Sequence, residues 1–143
     1  MKWMLLPLRH YAQFSGRARR KEFWLYLLGL LVVAAIAGVL DALLGLGGEI
    51  DRYAVHEPGN YAAGFQSHGG LLSLLVGLGA LIPTLAVAVR RLHDTDKSGW
   101  LLLLNLIPLI GGLILLFFYV QPSMPGTNRF GADPTVAEPD DPA

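Results

Sequence analysis

The sequence predicts an all-α membrane protein, with three transmembrane helices and a short N-terminal interfacial segment. Three observations predict it. The 143 residues are 53% hydrophobic and only 15% charged, whereas a soluble domain of this size carries about 25% charged residues. The charged side chains gather at 2–22, 41, 49–57, 90–97 and 129–141, leaving charge-free runs at 23–40, 58–89 and 98–128. A hydrocarbon layer about 30 Å thick needs roughly 20 apolar residues in a helix, a length reached at about 23–46, 71–89 and 100–120. These runs also lack the polar face that a soluble helix keeps. Residues 1–134 are therefore expected to form a single polytopic membrane domain, and 135–143 a flexible C-terminal tail.

Residues 3–14 mix Trp3, Leu6, Leu8, Tyr11 and Phe14 with Arg9 and His10. That mixture suits a segment in the headgroup layer, with a short helix starting at Pro7. Residues 17–37 imitate a signal peptide, with a twin-arginine echo at Arg19-Arg20 and an Ala35-Ile36-Ala37 triplet. Two further spans follow and the run stays apolar beyond the triplet, so an uncleaved span is expected. The 47–70 loop is rich in glycine and carries Pro58-Gly59-Asn60, which predicts irregular turns. The stretch after Gln121 has five prolines in 22 residues and is expected to be extended and mobile.

Orientation follows from lysine and arginine in the short flanks. Nine of the eleven positive charges fall before the first span or in the 90–99 loop. That side is expected to be cytoplasmic, with the C-terminus periplasmic. The zero net charge is then a cancellation across a membrane.

The densest polar signal stands at the mouth of the first span. Ser15 is the expected N-cap, Arg17, Arg20 and Lys21 share one helical face, and Trp24 is an interface anchor. Such a face suits anionic headgroups, since arginine makes paired hydrogen bonds to phosphate. Glu22, a carboxylate at the boundary, calls for an ion partner. The second signal is Arg90, Arg91, His93, Asp94, Asp96, Lys97, Ser98 and Trp100. Arg90 or Arg91 is expected to pair with Glu22, and Asp94 with Arg17 or Arg20. Asp96 or Ser98 is expected to cap the third span.

Asp94-x-Asp96 beside His93 offers donors for a divalent cation, but Arg91 and Lys97 would repel one. His56 and His68, near Glu49, Asp51 and Glu57, match no compact ligand spacing. No metal is expected. Asp41 lies 18 residues after Phe23, about 27 Å along a helix, where a carboxylate at the outer boundary stays hydrated. Pro83 and Pro108 leave the Gly79 and Leu104 carbonyls without their helical partners, and Asn105 and Gly111-Gly112 break the third run further. These are kinks and close packing in one reading, and a transport pathway in another.

Four stretches together resemble the domain-of-unknown-function 805 family, the YhaH-like bacterial inner-membrane proteins. They are F-x-G-R-x-x-R-x-E-F-W at 14–24, R-R-L-H-D-x-x-x-S-G-W at 90–100, I-P-x-I-G at 107–111 and P-G-x-N-R-F-G-x-x-P at 125–134. Leu101 departs from the family, which commonly shows a second tryptophan there, and the 47–70 loop is long for it. The resemblance implies a small polytopic inner-membrane protein and brings no assigned chemistry. It also adds Asn128 and Arg129 to the candidate residues. If these act with the basic clusters they should share their side, and three full spans place them opposite. A re-entrant third segment would reconcile the two. However, 21 residues make about 31 Å of helix, enough for one crossing, so the tail is expected outside.

No nucleophile–base pair, phosphate loop or nucleotide fingerprint occurs, so neither a catalytic residue nor a cofactor is expected. The expected function is a non-enzymatic membrane interaction, in which the cytoplasmic Arg/Glu/His/Asp cluster binds anionic phospholipid headgroups or a partner protein. The expected partners are the bilayer and either a second copy or another membrane protein, with no nucleic acid. The alternative is a small transporter or channel subunit using Asp41, Asn105 and the proline-broken helices. A lipid-headgroup enzyme acting through His93 and Asp94 is a third, weaker reading.

Overall fold

The first two apolar runs become two long helices, α1 at Arg20–Leu44 and α2 at Leu71–Asp94. The computed structural model describes residues 7–47, 50–57, 60–67 and 69–136. Both helices are long and apolar enough to cross a membrane. Their burial is the reverse of a soluble protein's: Leu28, Leu31, Leu43, Leu74 and Leu78 face outward, while the inner contacts include Ala37, Ala86, Val87 and Ala88. Small residues let helix backbones approach closely where no water drives them together. α2 continues through the buried Pro83.

The third apolar run is not one helix. A 3-10 helix covers Gly99–Leu106, and a short α-helix, α3, covers Ile110–Val120. Between them Leu109 adopts φ 63° and ψ −60°, and the Ile110 N–H donates to the Pro108 carbonyl at 2.7 Å, closing a γ-turn of the strained hand. The Leu104 carbonyl that Pro108 cannot serve takes the Ile107 N–H at 2.8 Å instead. Gly111 rests so close to the Leu104 carbonyl that a Cβ has no room there, and the two arms pack as a hairpin. The expected single 100–120 span is therefore corrected. Proline removes one helical bond and the glycine lets the chain fold back on itself.

The 47–70 loop also differs from its expected irregular turns. Strands β1, Ile50–Glu57, and β2, Asn60–Ser67, pair antiparallel with Glu57 opposite Asn60 and Ile50 opposite Ser67. Pro58 and Gly59 separate two runs holding Tyr53, Val55, Tyr61 and Phe65, residue types that favour strands. The interfacial segment expected at 3–14 is described only from Pro7, where a helical turn covers 7–9. Trp3, Leu6, His68 and residues 137–143 of the expected tail lie outside the described residues.

The chain forms two compact units, Met1–Gly29 with Leu81–Ala143, and Leu30–Ala80. In the first, Phe23 packs its ring against Tyr119 at 4.5 Å, and the Tyr26 and Thr84 hydroxyls share a hydrogen bond at 3.0 Å. In the second, Asp41 in the last turn of α1 is fully buried. Its carboxylate accepts from the Leu72 N–H, the Ser73 N–H and the Ser73 hydroxyl, each at 2.8 Å. It thus caps the start of α2 from a neighbouring helix, filling N–H groups that would otherwise be orphaned. The expectation of a hydrated Asp41 is corrected: protein donors replace water. Gly70 is obligatory in this arrangement, because a Cβ there would overlap the Asp41 carboxylate.

Candidate functional site

The polar signals converge at the C-terminal end of α2, where four carbonyls lack intrahelical partners. The sequence after Asp94 closes two of them with a Schellman turn. The Lys97 N–H donates to the Leu92 carbonyl at 2.9 Å and the Asp96 N–H to the His93 carbonyl at 3.0 Å. Asp96 takes the left-handed position at φ 57°, which aspartate tolerates better than most side chains. Asp96 therefore ends α2 and does not cap the third segment. Ser98 does that, accepting from the Trp100 N–H. The Arg90 and Asp94 carbonyls are filled from outside the helix, by the Ala18 and Met124 N–H groups at 3.0 and 3.1 Å.

Around this end two guanidinium groups share one carboxylate. Arg17 Nε donates to Asp94 Oδ1 at 3.1 Å, and Arg91 Nη1 pairs with Asp94 Oδ2. All three side chains are buried, at 1% exposure or less. Their remaining donors grip backbone carbonyls of the C-terminal stretch. Arg17 reaches Met124, Gly126 at 2.6 Å and Gly131 at 3.4 Å, while Arg91 reaches Tyr119 at 3.1 Å and Gln121. Arginine suits this task because its planar fork presents five donors in fixed directions. A second buried pair, Arg90 Nη1 to Glu22 Oε1 at 2.8 Å, stands beside it. The expected pairs Arg17–Asp94 and Arg90–Glu22 are both present.

The motif at 125–134 completes the knot. Asn128 Nδ2 donates to the His93 carbonyl at 2.8 Å, and Phe130 stacks on the His93 ring at 3.7 Å and 3°. His93 Nδ1 faces the Gly16 carbonyl at 3.2 Å; a carbonyl only accepts, so that nitrogen carries the proton. Arg129 pairs with Asp96 at 3.2 Å, well exposed to solvent. Asp133, which the sequence reading missed, accepts from the Gly126 N–H at 3.0 Å and from Thr135 through both N–H and hydroxyl. The Thr135 bonds hold its carboxyl below the usual carboxylate range against the opposing effect of burial, aided by Gly126 and the Arg17 charge. The signal was legible as Asp-x-Thr, a side chain that closes a turn on the backbone two residues ahead.

Residues 124–131 contact Arg17 and α2's end directly, so the three polar stretches of the sequence meet in one cluster. The expected helical face of Arg17, Arg20 and Lys21 is also corrected. α1 begins at Arg20, and residues 17–19 lie before it, where Arg17 reaches Asp94 and Ala18 bonds Arg90. Ser15 lies five residues before α1 and does not cap it. Arg20 and Lys21 are exposed, as are Trp24 and Trp100. Arg20 donates to the Val120 carbonyl at 3.1 Å. No group of three or more metal-ligating side chains occurs among the described residues.

The chain is 42% identical over 139 residues to "Inner membrane protein YhaH" of Escherichia coli (strain K12), covering 95% of this chain and 98% of that protein. It is likewise 42% identical over 134 residues to "Inner membrane protein YhaI" of the same strain, covering 94% and 96%. No solved structure matches. The family described as "Protein of unknown function (DUF805)" matches residues 11–132, the span holding every ion pair above, and the chain belongs to that family.

Proposed function

We propose that this chain is a bacterial inner-membrane protein that binds anionic phospholipid headgroups through Arg20 and Lys21, beside Trp24, without catalysing a reaction. The observation that carries this reading is a division of labour among the cations. Arg17, Arg90 and Arg91 are buried in ion pairs, and Arg17 has its donors filled by Asp94 and tail carbonyls. Arg20 and Lys21 stay exposed at the start of an apolar helix. An exposed cation next to an interfacial tryptophan meets lipid phosphate first. The buried residues then act as the frame that holds this edge.

In the same reading α1 and α2 cross the membrane, and the 99–120 hairpin dips in and returns. Its eight 3-10 residues rise about 2.0 Å each and its eleven α-helical residues about 1.5 Å each, so both arms are about 16 Å long. Each reaches only the middle of a hydrocarbon layer about 30 Å thick. N-terminus and tail are then both cytoplasmic, and ten of the eleven positive charges stand on that side, one more than with the tail outside. The transporter alternative rests on Asp41 and Asn105. Asp41 has its carboxylate filled by three protein donors, which disfavours it as an ion site.

Native mass spectrometry of the purified protein with phosphatidylglycerol tests the headgroup reading. Each cation near a headgroup contributes about 1 kcal/mol, so Arg20→Ala and Lys21→Ala are expected to weaken retention about fivefold each. Unchanged retention in both variants overturns it. Orientation is read separately with a membrane-impermeant maleimide, since the chain has no cysteine of its own. Thr135→Cys is expected to label only in inverted vesicles and Gly69→Cys only from the periplasmic face. Labelling of Thr135→Cys from the periplasm sinks the hairpin reading.

A further inference from the structure

We infer that two copies of this chain pair within the membrane through the tip of the 99–120 hairpin, with the Asn105 side chains of the two copies bonded to each other. The inference rests on the hairpin reading above and goes beyond it. Asn105 lies six residues after Gly99, about 12 Å deep at the 3-10 rise, close to the middle of the hydrocarbon layer. It is exposed, and among the described residues its carboxamide has no hydrogen-bond partner. A bare amide facing lipid tails is costly.

A second, independent observation lies beside it. The backbone leaves helical geometry at 107–109, with Leu109 at φ 63°, and this tip is uncovered: Leu106 and Leu109 are 79% and 85% exposed. Irregular backbone at membrane depth occurs where protein or a water-filled cavity covers it, not against lipid. Next to the tip, a Cβ on Gly112 would meet nothing, so this face of α3 admits a close neighbour. The exposed side chains of the tip, Leu106, Leu109 and Ile110, are apolar and do not suit the lining of a water-filled cavity, which leaves protein as the cover.

The chemistry selects the occupant. The 98–128 stretch holds no charge, so a partner presenting an ion would leave that ion unpaired in hydrocarbon. A carboxamide is donor and acceptor at once. Two of them related by a twofold axis satisfy each other, which is what a self-complementary interface requires. A second copy meets every demand of the patch without a further residue type.

The absence of native cysteine makes the test unambiguous. Asn105→Cys in intact membranes under mild oxidation is expected to give a disulfide-linked dimer, because contact at the twofold axis brings the two Cα atoms within about 7 Å. Leu31→Cys, also exposed, on α1, is the collision control and is expected to stay monomeric. Asn105→Leu, read by single-molecule photobleaching at low density in liposomes, is expected to dimerise about tenfold more weakly. Absence of the Asn105→Cys cross-link, equal cross-linking of Leu31→Cys, a cross-link to a protein of different mass, or undiminished dimerisation of Asn105→Leu each overturns the inference. The maleimide labelling above fails or succeeds independently, so a lost hairpin and a lost dimer are told apart.

Discussion

Arg17 and Asp94 stand 77 residues apart in sequence and 3.1 Å apart in space, with both side chains at 1% exposure or less. Removing one partner of such a pair costs about 3–5 kcal/mol, because the other is left buried and uncompensated. Arg17→Ala and Asp94→Ala are each expected to lower the thermal unfolding midpoint in detergent sharply. Arg17→Lys is expected to recover little. An ammonium satisfies Asp94 but cannot also reach the Met124, Gly126 and Gly131 carbonyls. Recovery by lysine would mean that charge alone matters at this position.

The Glu22–Arg90 pair behaves differently when both partners go. Arg90 Nε and Nη2 are buried with no hydrogen-bond partner, so this pair is incompletely satisfied and desolvation weighs against it. The double variant Glu22→Leu, Arg90→Met is expected to unfold within about 1 kcal/mol of the native chain, while either single change costs several. Chemical denaturation in mixed micelles measures all three. A double variant as unstable as the singles would contradict this account.

Asp41 and Gly70 form one device in the Leu30–Ala80 unit. Loss of an N-capping oxygen costs about 0.5–2 kcal/mol, so Asp41→Ala is expected to destabilise by roughly that amount or somewhat more. Gly70→Ala is expected to do at least as much, since its methyl would displace the same carboxylate. Limited proteolysis of membranes carrying each variant compares them. If Gly70→Ala is neutral, the cap is not what holds α2's first turn.

The hairpin carries two opposed expectations. Gly111→Ala drives a methyl into the Leu104 carbonyl and should cost about 1–3 kcal/mol, as overpacking does. Leu109→Gly should stabilise by about 1 kcal/mol, because glycine occupies φ 63° without strain. Thermal midpoints of the two variants, taken together, separate a folded-back hairpin from a continuous helix. In a continuous helix the first change would be harmless and the second harmful.

Asp133 gives the tail an acid limit. Its folded carboxyl is held below the usual range, so the folded state favours the ionised form. The stabilisation is complete above the unfolded value of about 3.9 and is lost as pH falls toward the folded value. The thermal midpoint of the native chain should exceed that of Asp133→Asn at pH 6, and the gap should narrow as pH falls below about 4. A gap that does not narrow on acidification would assign Asp133 a role independent of its charge.

Much of this was legible in the residue pattern, for identifiable reasons. Long uncharged runs allow little except membrane helices, so α1 and α2 were plain. Charges beside such runs must pair, and Glu22 found Arg90 as Asp94 found Arg17. Three features escaped. The bend at 107–109 depends on a proline and a glycine whose effects combine only when the arms meet, and helical length alone argued for one crossing. The five tail carbonyls gripped by Arg17 and Arg91 are backbone groups, which carry no residue signature. The 50–67 hairpin was hidden by glycine-rich flanks, although Tyr53, Val55, Tyr61 and Phe65 favoured strands.

The grip of Arg17 on residues 124–131 also bears on how the protein is made. Arg17 and Arg91 are both translated before the carbonyls that satisfy them. Gly131 follows Asp94 by 37 residues, a delay of about 2–7 s at ordinary synthesis rates. Through that interval the two guanidinium groups beside Asp94 are without their last acceptors. The newborn chain stays open at this end until residues 119–131 arrive.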